Sequence, residues 1–254
     1  MPTEPVCEAN STLRRVITLP FGESLFARLQ NPLVFLFLLF KYTPARGAHP
    51  LRPSHVRRHI MPPLAILLLA AGSSSRMAPR DKLLEQVNGE PLLALLTRRA
   101  TLTGLPCFIT LPHLSHPRAK WIGEATAVQV PDASEGMAAP IRAGVSALPD
   151  QIEAVMILPT DMPEIDCQDL MHIAAHYQNS DGPILRASTA NGTPGHPVLF
   201  PRRYFDALLA LKGDNGARSI LVNEPVQLIA LPGKRATTDL DTPEAWVNWR
   251  AVNR

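Results

Sequence analysis

The sequence predicts an α/β protein with three layers, in which a mostly parallel sheet lies between two layers of helices. Residues 64–69 form an apolar run without alternation, and residues 154–158 form a second one. A strand that is apolar at every position is buried on both faces, as in a parallel sheet covered by helices. Residues 92–102 have helical apolar spacing and stand between these runs. Alternating strands and helices are the order that builds a parallel sheet.

Length and composition fit one sizeable globular domain with a different segment in front of it. The chain has 254 residues, of which 46% are hydrophobic, and this is enough to bury a core. Residues 1–60 carry eight Lys and Arg against three Asp and Glu, whereas the remainder carries 17 against 19. A nucleic-acid-binding domain needs a basic face on its folded part. Because the basic excess lies in the first segment, no nucleic-acid partner is expected.

Residues 1–60 differ from the rest of the chain, and we expect them to be a poorly ordered leader or start-site extension before a folded domain at 61–254. The apolar run 33–40 is far too short to span a bilayer, so no transmembrane span is expected. Residues 43–63 are rich in Pro, Arg and His without periodicity, as in a linker. The alternative is a segment centred on 33–40 that docks on a membrane surface or on a partner.

The cysteines favour a reducing compartment. Cys7, Cys107 and Cys167 are few, odd in number and without metal-ligand spacing. Secreted domains of small size use paired cysteines as a framework, whereas chains of the cytosol do not. The sequence therefore predicts a cytoplasmic location.

The stretch after the first apolar run carries the strongest functional signal. Residues 70–75 are two alanines, a glycine and three serines, so a ligand can approach the backbone closely. Gly72 can adopt a positive φ, and exposed N–H groups in such a loop bind anions. Arg76 and Lys82 add the full charges that a triphosphate needs. The pattern is neither a Walker loop nor a dinucleotide fingerprint, and a plain connection without a ligand is the alternative.

Residues 69–77 with Lys82 resemble the signature loop of the MobA-like nucleotidyltransferases, and are most similar to that of the molybdenum cofactor cytidylyltransferases. The resemblance extends over residues 62–252 and implies the Rossmann-like nucleotide-diphospho-sugar transferase fold. It also implies that the loop wraps the triphosphate of an incoming nucleotide, which Arg76 and Lys82 hold.

Some residues of this chain follow one branch of the family, and others depart from it. Ala70-Ala71 resembles the CTP branch, because the GTP branch usually has a second glycine there. Gly136 and Met137 match a segment that lies near the base and ribose in the family. The two serines that follow it there are Ala138-Ala139 in this chain, and the glycine expected after Met77 is replaced by Ala78-Pro79. A helix N-terminus without a ligand is the alternative for the segment at Gly136.

Three aspartates are candidates for metal binding. Asp161 follows the apolar run 154–158, at the carboxyl end of a strand, where open parallel sheets bind ligands. Mg²⁺ takes one or two carboxylates together with phosphate oxygens, and a turn-forming aspartate is the alternative. Asp239 and Asp241 are two apart, so on a strand both point the same way. The resemblance makes Asp161 and Asp239 the metal ligands, with Asp241 assigned either to the metal or to the start of the last helix.

The resemblance assigns the remaining site residues in three groups. Arg76, Lys82 and Asp161 are implied as catalytic. Those implied for the nucleotide are Leu69, Ala70, Ala71, Gly72, Ser73, Ser74, Arg76, Lys82, Gly136 and Met137. Those implied for the second substrate are Gly195, His196, Pro197 and Arg218, from a Gly-His-Pro segment and a Gly-Asp-x-Gly-Ala-Arg segment.

By resemblance, the reaction is the Mg²⁺-dependent transfer of CMP from CTP to molybdopterin cofactor, with release of pyrophosphate. The implied partners are CTP or another NTP, a molybdopterin-type acceptor and a molybdoenzyme apoprotein. One alternative is another NTP transferase, acting on a sugar phosphate or on methylerythritol phosphate. A second alternative is a non-catalytic carrier of molybdenum cofactor, which the departures at 78–79 and 138–139 keep open.

Overall fold

The structure, a computed structural model, describes residues 63–253. The expected leader over residues 1–60 lies outside the described residues, and the domain boundary before residue 61 stays a prediction. Within residues 63–253, no helix combines the length and the apolar character that crossing a membrane requires.

Strands and helices alternate along the described chain, as the apolar pattern predicts. The strands are β1 (Leu64–Leu69), β2 (Gln86–Val87), β3 (Glu90–Pro91), β4 (Cys107–Leu111), β5 (Thr126–Gln129), β6 (Ala154–Pro159), β7 (Ile184–Ser188), β8 (Pro194–Pro201) and β9 (Val226–Ala230). The helices are α1 (Leu92–Thr101), α2 (Ala138–Ser146), α3 (Cys167–Ala175), α4 (Phe205–Leu209), α5 (Arg218–Asn223) and α6 (Pro243–Val252).

Seven strands form the central sheet, in the order β5-β4-β1-β6-β8-β7-β9. β1 pairs in parallel with both β4 and β6, and β4 pairs in parallel with β5. β8 runs antiparallel to both of its neighbours, whereas β7 and β9 are parallel. The mostly parallel sheet is therefore confirmed, with β8 as the one reversed strand among the described strands of this sheet. β2 and β3 form a separate two-stranded hairpin.

Helices cover both faces of the sheet, which gives the three layers. In the buried strand β1, Leu64, Ile66 and Leu68 belong to one core, with residues of α1, α3 and α6. Ala65 and Leu67 belong to a second core, with residues of α2, α4 and α5. The lack of alternation between apolar and polar residues in β1 thus corresponds to burial on both faces.

Parallel strands bring their carboxyl ends to one edge of the sheet, and this edge carries the candidate site. The loop after β1 and the aspartate after β6 are neighbours because β1 and β6 pair from Leu64↔Ala154 to Leu69↔Pro159. A side-chain bond from Thr160 Oγ1 to the carbonyl oxygen of Leu69, 2.7 Å long, continues this pairing beyond the last strand residue.

Candidate active site

Arg118 is buried beneath the loop that follows β1, with only 2% of its surface exposed. Its guanidinium donates hydrogen bonds to the carbonyl oxygens of Ala70 (2.6 Å) and Gly72 (2.7 Å). It also donates to both carboxylate oxygens of Asp81, at 2.7 Å each, and to Ser74 Oγ at 3.0 Å. The loop therefore turns its carbonyl groups inward, toward a buried cation.

The backbone N–H groups of the same loop are left for a ligand. Among the described residues, nothing accepts a hydrogen bond from the N–H of Gly72, Ser73 or Ser74. Ser74 has φ 53° and ψ 31° and leads into the 3₁₀ turn Ser75–Met77. Gly72 does not use the positive φ that a glycine permits. The chain reverses at Ser74 instead, because the Ser74 hydroxyl is held by Arg118.

The predicted cations meet the aspartates at this edge of the sheet. Lys82 Nζ lies 2.7 Å from Asp161 Oδ2 and 2.5 Å from Asp241 Oδ1. The Lys82 and Asp161 side chains are mostly buried, with 16% and 15% exposed. Arg76 Nη1 lies 3.0 Å from Asp241 Oδ2 at the surface. Residues 159 and 165 positions apart in the sequence thus form one charged cluster, in which Asp241 takes part directly.

The segment of Asp239 and Asp241 is irregular, so the expectation that a strand aligns these two side chains is wrong. Its position is fixed by a bond of 3.0 Å from the N–H of Leu240 to the carbonyl oxygen of Asp161. The carboxylate of Asp241 turns toward Lys82.

The start of α6 does not use Asp241. Thr242 caps this helix, because its hydroxyl accepts a hydrogen bond from the N–H of Ala245 at 3.2 Å. The alternative that Asp241 serves the helix start is therefore not what the structure shows. Its carboxylate is engaged by Arg76 and Lys82 instead.

The opposite charges of the cluster stabilise one another. Burial alone lowers the pKa of Lys82, but the carboxylates of Asp161 and Asp241 outweigh it, and the pKa is raised. Burial opposes ionisation of Asp241, yet the Lys82 ammonium group lowers the pKa of that carboxyl. Desolvation, followed by repulsion from Asp161 and Asp241, raises the pKa of Asp239. Lys82 is therefore firmly cationic at neutral pH, against a dense set of carboxylates.

The donor set fits a hard divalent cation. Within residues 63–253, no three His, Cys, Asp or Glu side chains are grouped so as to hold a metal ion by themselves. Mg²⁺ needs only one or two carboxylates when phosphate oxygens complete its coordination. Asp161 and Asp239 offer such oxygens. The Lys82 ammonium group, at 2.7 Å, shows that a cation is accommodated against Asp161.

A cavity of about 770 Å³, here called the loop cavity, lies between the loop after β1 and the start of α2. Its lining includes Leu69, Ala71, Gly72, Ser73, Ser75, Lys82, Gly136, Met137 and Asp161. Ala70 and Ser74 are not on this wall, since both are bonded to Arg118 behind the loop. Arg76 stands outside at the surface, beside Asp241. Ser75, which the sequence reasoning did not single out, takes a place on the wall.

Gly136 and Met137 are held in place by the loop at 212–216. Gly136 has φ 115°, and a Cβ atom there would lie 2.7 Å from Asp214 Oδ1, so only glycine fits. The N–H of Met137 donates to the same oxygen at 3.2 Å. The start of α2 thereby becomes a shared wall between the loop cavity and a neighbouring one.

That second cavity of about 590 Å³, here called the sheet cavity, opens over β7 and β8. His196 and Arg218 line it, as the resemblance implies, and so does Arg186, which the sequence reasoning missed. Leu69, Met137, Pro159 and Asp214 line both cavities. Two adjoining spaces with one common wall suit two substrates that react with each other.

Gly195 and Pro197 are not on the wall of the sheet cavity. A Cβ atom on Gly195 would lie 1.8 Å from the carbonyl oxygen of Ala236, and the N–H of His196 donates to that oxygen at 2.8 Å. This close approach joins the start of β8 to the segment that carries Asp239. Pro197 is buried.

The matches to known proteins agree with this geometry. Residues 66–228 match the MobA-like NTP transferase domain. The chain belongs to the MobA-like NTP transferase family. The family resemblance of the signature loop and the Rossmann-like fold expected from it are therefore confirmed.

Two named relatives of this MobA-like NTP transferase match most of its chain. It is 32% identical over 191 residues to the molybdenum cofactor guanylyltransferase of Pseudomonas fluorescens (strain Pf0-1), covering 72% of this chain and 92% of the relative. It is 26% identical over 199 residues to the purine catabolism protein PucB of Bacillus subtilis (strain 168), covering 73% and 95%.

Solved structures share the fold. The crystal structure of Rv0371c from Mycobacterium tuberculosis H37Rv superposes with a TM-score of 0.64 at 25% identity, covering 76% of this chain and 98% of that one. A structure of Rv0371C from M. tuberculosis H37Rv in complex with manganese superposes with a TM-score of 0.60 at 22% identity, covering 74% and 98%.

Besides Ser75, sequence reasoning missed two site residues, Arg118 and Arg186. Arg118 lies in the Pro- and His-containing segment 112–118, and Arg186 is the charged residue of the short strand Ile184–Ser188. The signal available for Arg186 was the charged residue itself, since a strand of a covered sheet is apolar throughout. For Arg118, no local pattern distinguishes a buried arginine from a surface one.

We predict that Arg118→Met destabilises the protein by about 3 kcal/mol or more, because the change leaves a half-buried carboxylate of Asp81 and two loop carbonyls without their donor. The free energy of unfolding in urea measures it. Arg80→Met is the matched control: it removes a neighbouring, exposed arginine paired with Glu85 and should change stability by about 1 kcal/mol at most. Equal effects of the two variants would contradict the proposed role of the buried arginine.

A pH dependence follows from His196, whose Nδ1 is buried without a partner among the described residues. Burial, with the positive charge of Arg186, lowers the pKa of His196 to about 4. Between the unfolded value of about 6.5 and this one, the unfolded chain binds a proton that the folded chain does not. Stability should thus fall by about 2.5 kcal/mol from pH 7 to pH 4.5 through this group.

The measurement compares unfolding free energies at pH 7 and pH 4.5 in three proteins. His196→Gln should remove about 2.5 kcal/mol of the decline that the wild type shows. His172→Gln replaces an exposed histidine of α3 and should retain the full decline. The same decline in His196→Gln as in the wild type would refute the assignment.

Proposed function

We propose that this protein transfers CMP from CTP to a molybdopterin-type acceptor and releases pyrophosphate, with Mg²⁺ as cofactor. The observation that carries the proposal is the contact of Lys82 with Asp161 at 2.7 Å, on the wall of the loop cavity. A triphosphate requires a cationic group and a metal-binding carboxylate side by side. The family supports a nucleotidyl transfer, and the choice of CTP and of the acceptor is our inference.

In the proposed complex, the loop cavity takes the nucleotide. Free N–H groups of Gly72 and Ser73 bind the β- and γ-phosphates, and Arg76 leaves Asp241 to join them. Lys82 stabilises negative charge that develops near the α-phosphate. Leu69, Ala71, Gly136 and Met137 form the surrounding wall, while Ala70 and Ser74 support the loop through Arg118.

The sheet cavity takes the acceptor, with His196 and Arg218 on its wall and Gly195-His196-Pro197 joining it to the segment of Asp239. An oxygen of the acceptor phosphate attacks the α-phosphorus, and the bond from that phosphorus to the β-phosphate oxygen breaks. Little covalent chemistry falls to the side chains, since positioning and charge neutralisation account for the rate.

Asp161 and Asp239 are the proposed ligands of Mg²⁺. When bound, Mg²⁺ neutralises the phosphate oxygens and holds attacking and leaving groups in place. The structure of a mycobacterial relative of this fold in complex with manganese supports a divalent cation in this fold. Asp241 is assigned to Arg76 and Lys82 in the absence of phosphates, because both cations bond to it.

The preference for CTP rests on the resemblance of Ala70-Ala71 to the CTP branch of the family, because the GTP branch usually has a second glycine there. A relative named molybdenum cofactor guanylyltransferase is 32% identical, which makes GTP the competitor to test. We further propose a cytoplasmic location, which the sparse cysteines favour, and a molybdoenzyme apoprotein as the recipient of the product.

The test is pyrophosphate release by the purified protein with Mg²⁺, molybdopterin cofactor and either CTP or GTP. We expect kcat/KM for CTP to exceed that for GTP by about tenfold or more, a ratio within reach of one changed pocket contact. Sugar phosphates and methylerythritol phosphate serve as alternative acceptors in parallel reactions. Faster reaction with one of those acceptors, or none with any nucleotide, would overturn the proposal and favour another transferase or a carrier.

A separate variant tests the assignment of Asp161 as a metal ligand. Asp161→Asn should lower kcat by about 100-fold or more, because the loss of a metal ligand removes charge stabilisation in the transition state, while the melting temperature stays close to the wild type. Asp150→Asn, which neutralises an exposed aspartate after α2, is the control and should keep full activity. Undiminished transfer by Asp161→Asn would show that this carboxylate does not hold the metal.

A further inference from the structure

Arg186 occupies a place in the sheet where an apolar residue is expected. It lies in β7, with Val198 of β8 and Leu228 of β9 as its register partners on either side. Because side chains alternate along a strand, Arg186 shares a face with Ile184, a residue of the core that α2, α4 and α5 cover. A charged side chain on this face is partly desolvated, and burial lowers the pKa of Arg186.

The charge of this guanidinium is not compensated by an acid. Its Nε donates to the carbonyl oxygen of Gly195 at 3.0 Å, and among the described residues no carboxylate pairs with it. By contrast, the buried Arg118 and the partly exposed Arg235 each bond to carboxylates. The two terminal amino groups of Arg186 donate to no described residue, which leaves the fork that binds a planar or tetrahedral oxyanion.

The free side of Arg186 belongs to the wall of the sheet cavity. Arg218, also without an acidic partner among the described residues, lines the same space from its exposed rim. Asp214 is the one carboxylate of that wall, and it is engaged by the N–H of Met137 at 3.2 Å. The lining of the cavity therefore carries a net positive charge, and the two terminal amino groups of Arg186 are unused donors on its wall.

We propose that Arg186 binds the phosphomonoester group of the acceptor, so that the sheet cavity selects a phosphorylated second substrate. This inference rests on the proposed function where it identifies the bound phosphate as part of the acceptor. The phosphate site itself does not depend on which nucleotide is used. The guanidinium fork donates two parallel hydrogen bonds to phosphate oxygens, and the fixed bond from Nε to Gly195 sets the orientation of the fork.

The stability of variants distinguishes this binding role of Arg186 from a merely structural role. An arginine that mainly supports the fold would destabilise it strongly when replaced, whereas Arg186 has no acidic partner and loses only its bond to Gly195 when a residue of similar length replaces it. Arg186→Met should therefore fold with a melting temperature close to that of the wild type, and still lose phosphate binding. Arg186→Lys keeps the charge but not the fork and should lie between the two.

The direct test is a titration of the full chain with inorganic phosphate. NMR monitors the signals of the backbone amides of Gly195 and His196 and of Arg186 Nε during the titration. We expect half-saturation at a phosphate concentration at least about tenfold higher in Arg186→Met than in the wild type. Arg203→Met, which removes a surface arginine bonded to the carbonyl oxygen of Asp181, is the control for net charge and should match the wild type. Equal half-saturation in Arg186→Met and the wild type, or shifts confined to residues 72–76, would overturn the proposal.

Two further measurements identify the chemical class of the ligand and relate its binding to catalysis. Acetate should perturb the same amides more weakly than phosphate, and tighter binding of acetate would overturn the phosphomonoester assignment. In the transfer reaction, Arg186→Met should raise KM for the acceptor about tenfold or more and leave KM for CTP within about twofold. If the wild type transfers no nucleotide at all, the proposed function fails, and the phosphate titration still decides the role of Arg186.

Discussion

The site depends on a buried ion pair, that of Arg118 with Asp81. A guanidinium with 2% of its surface exposed is costly to desolvate, and five hydrogen bonds from its nitrogens offset that cost. Two of these bonds turn the carbonyl oxygens of Ala70 and Gly72 inward. The neighbouring N–H groups are consequently free, and a loop of small residues becomes a place where an anion can bind.

Arg118 also determines where the loop ends. Asp81, its ionic partner, accepts a hydrogen bond from the N–H of Leu83 at 3.0 Å and so begins the short 3₁₀ turn that carries Lys82. The same pair that shapes the anion loop thereby directs Lys82 toward Asp161. Burial of a charged residue here provides geometric specificity and not simply stability, and it brings together the cation and the carboxylate of the proposed reaction.

Much of the fold could be predicted from the sequence, because the signals are local. The apolar run of β1 indicates burial on both faces, and the small residues after it indicate a loop whose backbone other groups can approach closely. The parts that could not be predicted depend on contacts between distant segments. Asp239 and Asp241 are two apart, which suggests a strand, yet the bond from Leu240 to Asp161 determines their positions. The chain reverses at Ser74 and not at Gly72 for a similar reason, since Arg118 holds the serine hydroxyl.

The measurement that tests the central claim most directly is a crystal structure with CTP and Mn²⁺, in which anomalous scattering locates the metal. The account predicts a manganese peak bonded to carboxylate oxygens of Asp161 and Asp239 and to a phosphate oxygen, with the triphosphate against the N–H groups of Gly72 and Ser73. Lys82 Nζ would then have moved from Asp161 toward the phosphates. A triphosphate bound away from residues 72–82, or manganese bound without Asp161, would contradict it.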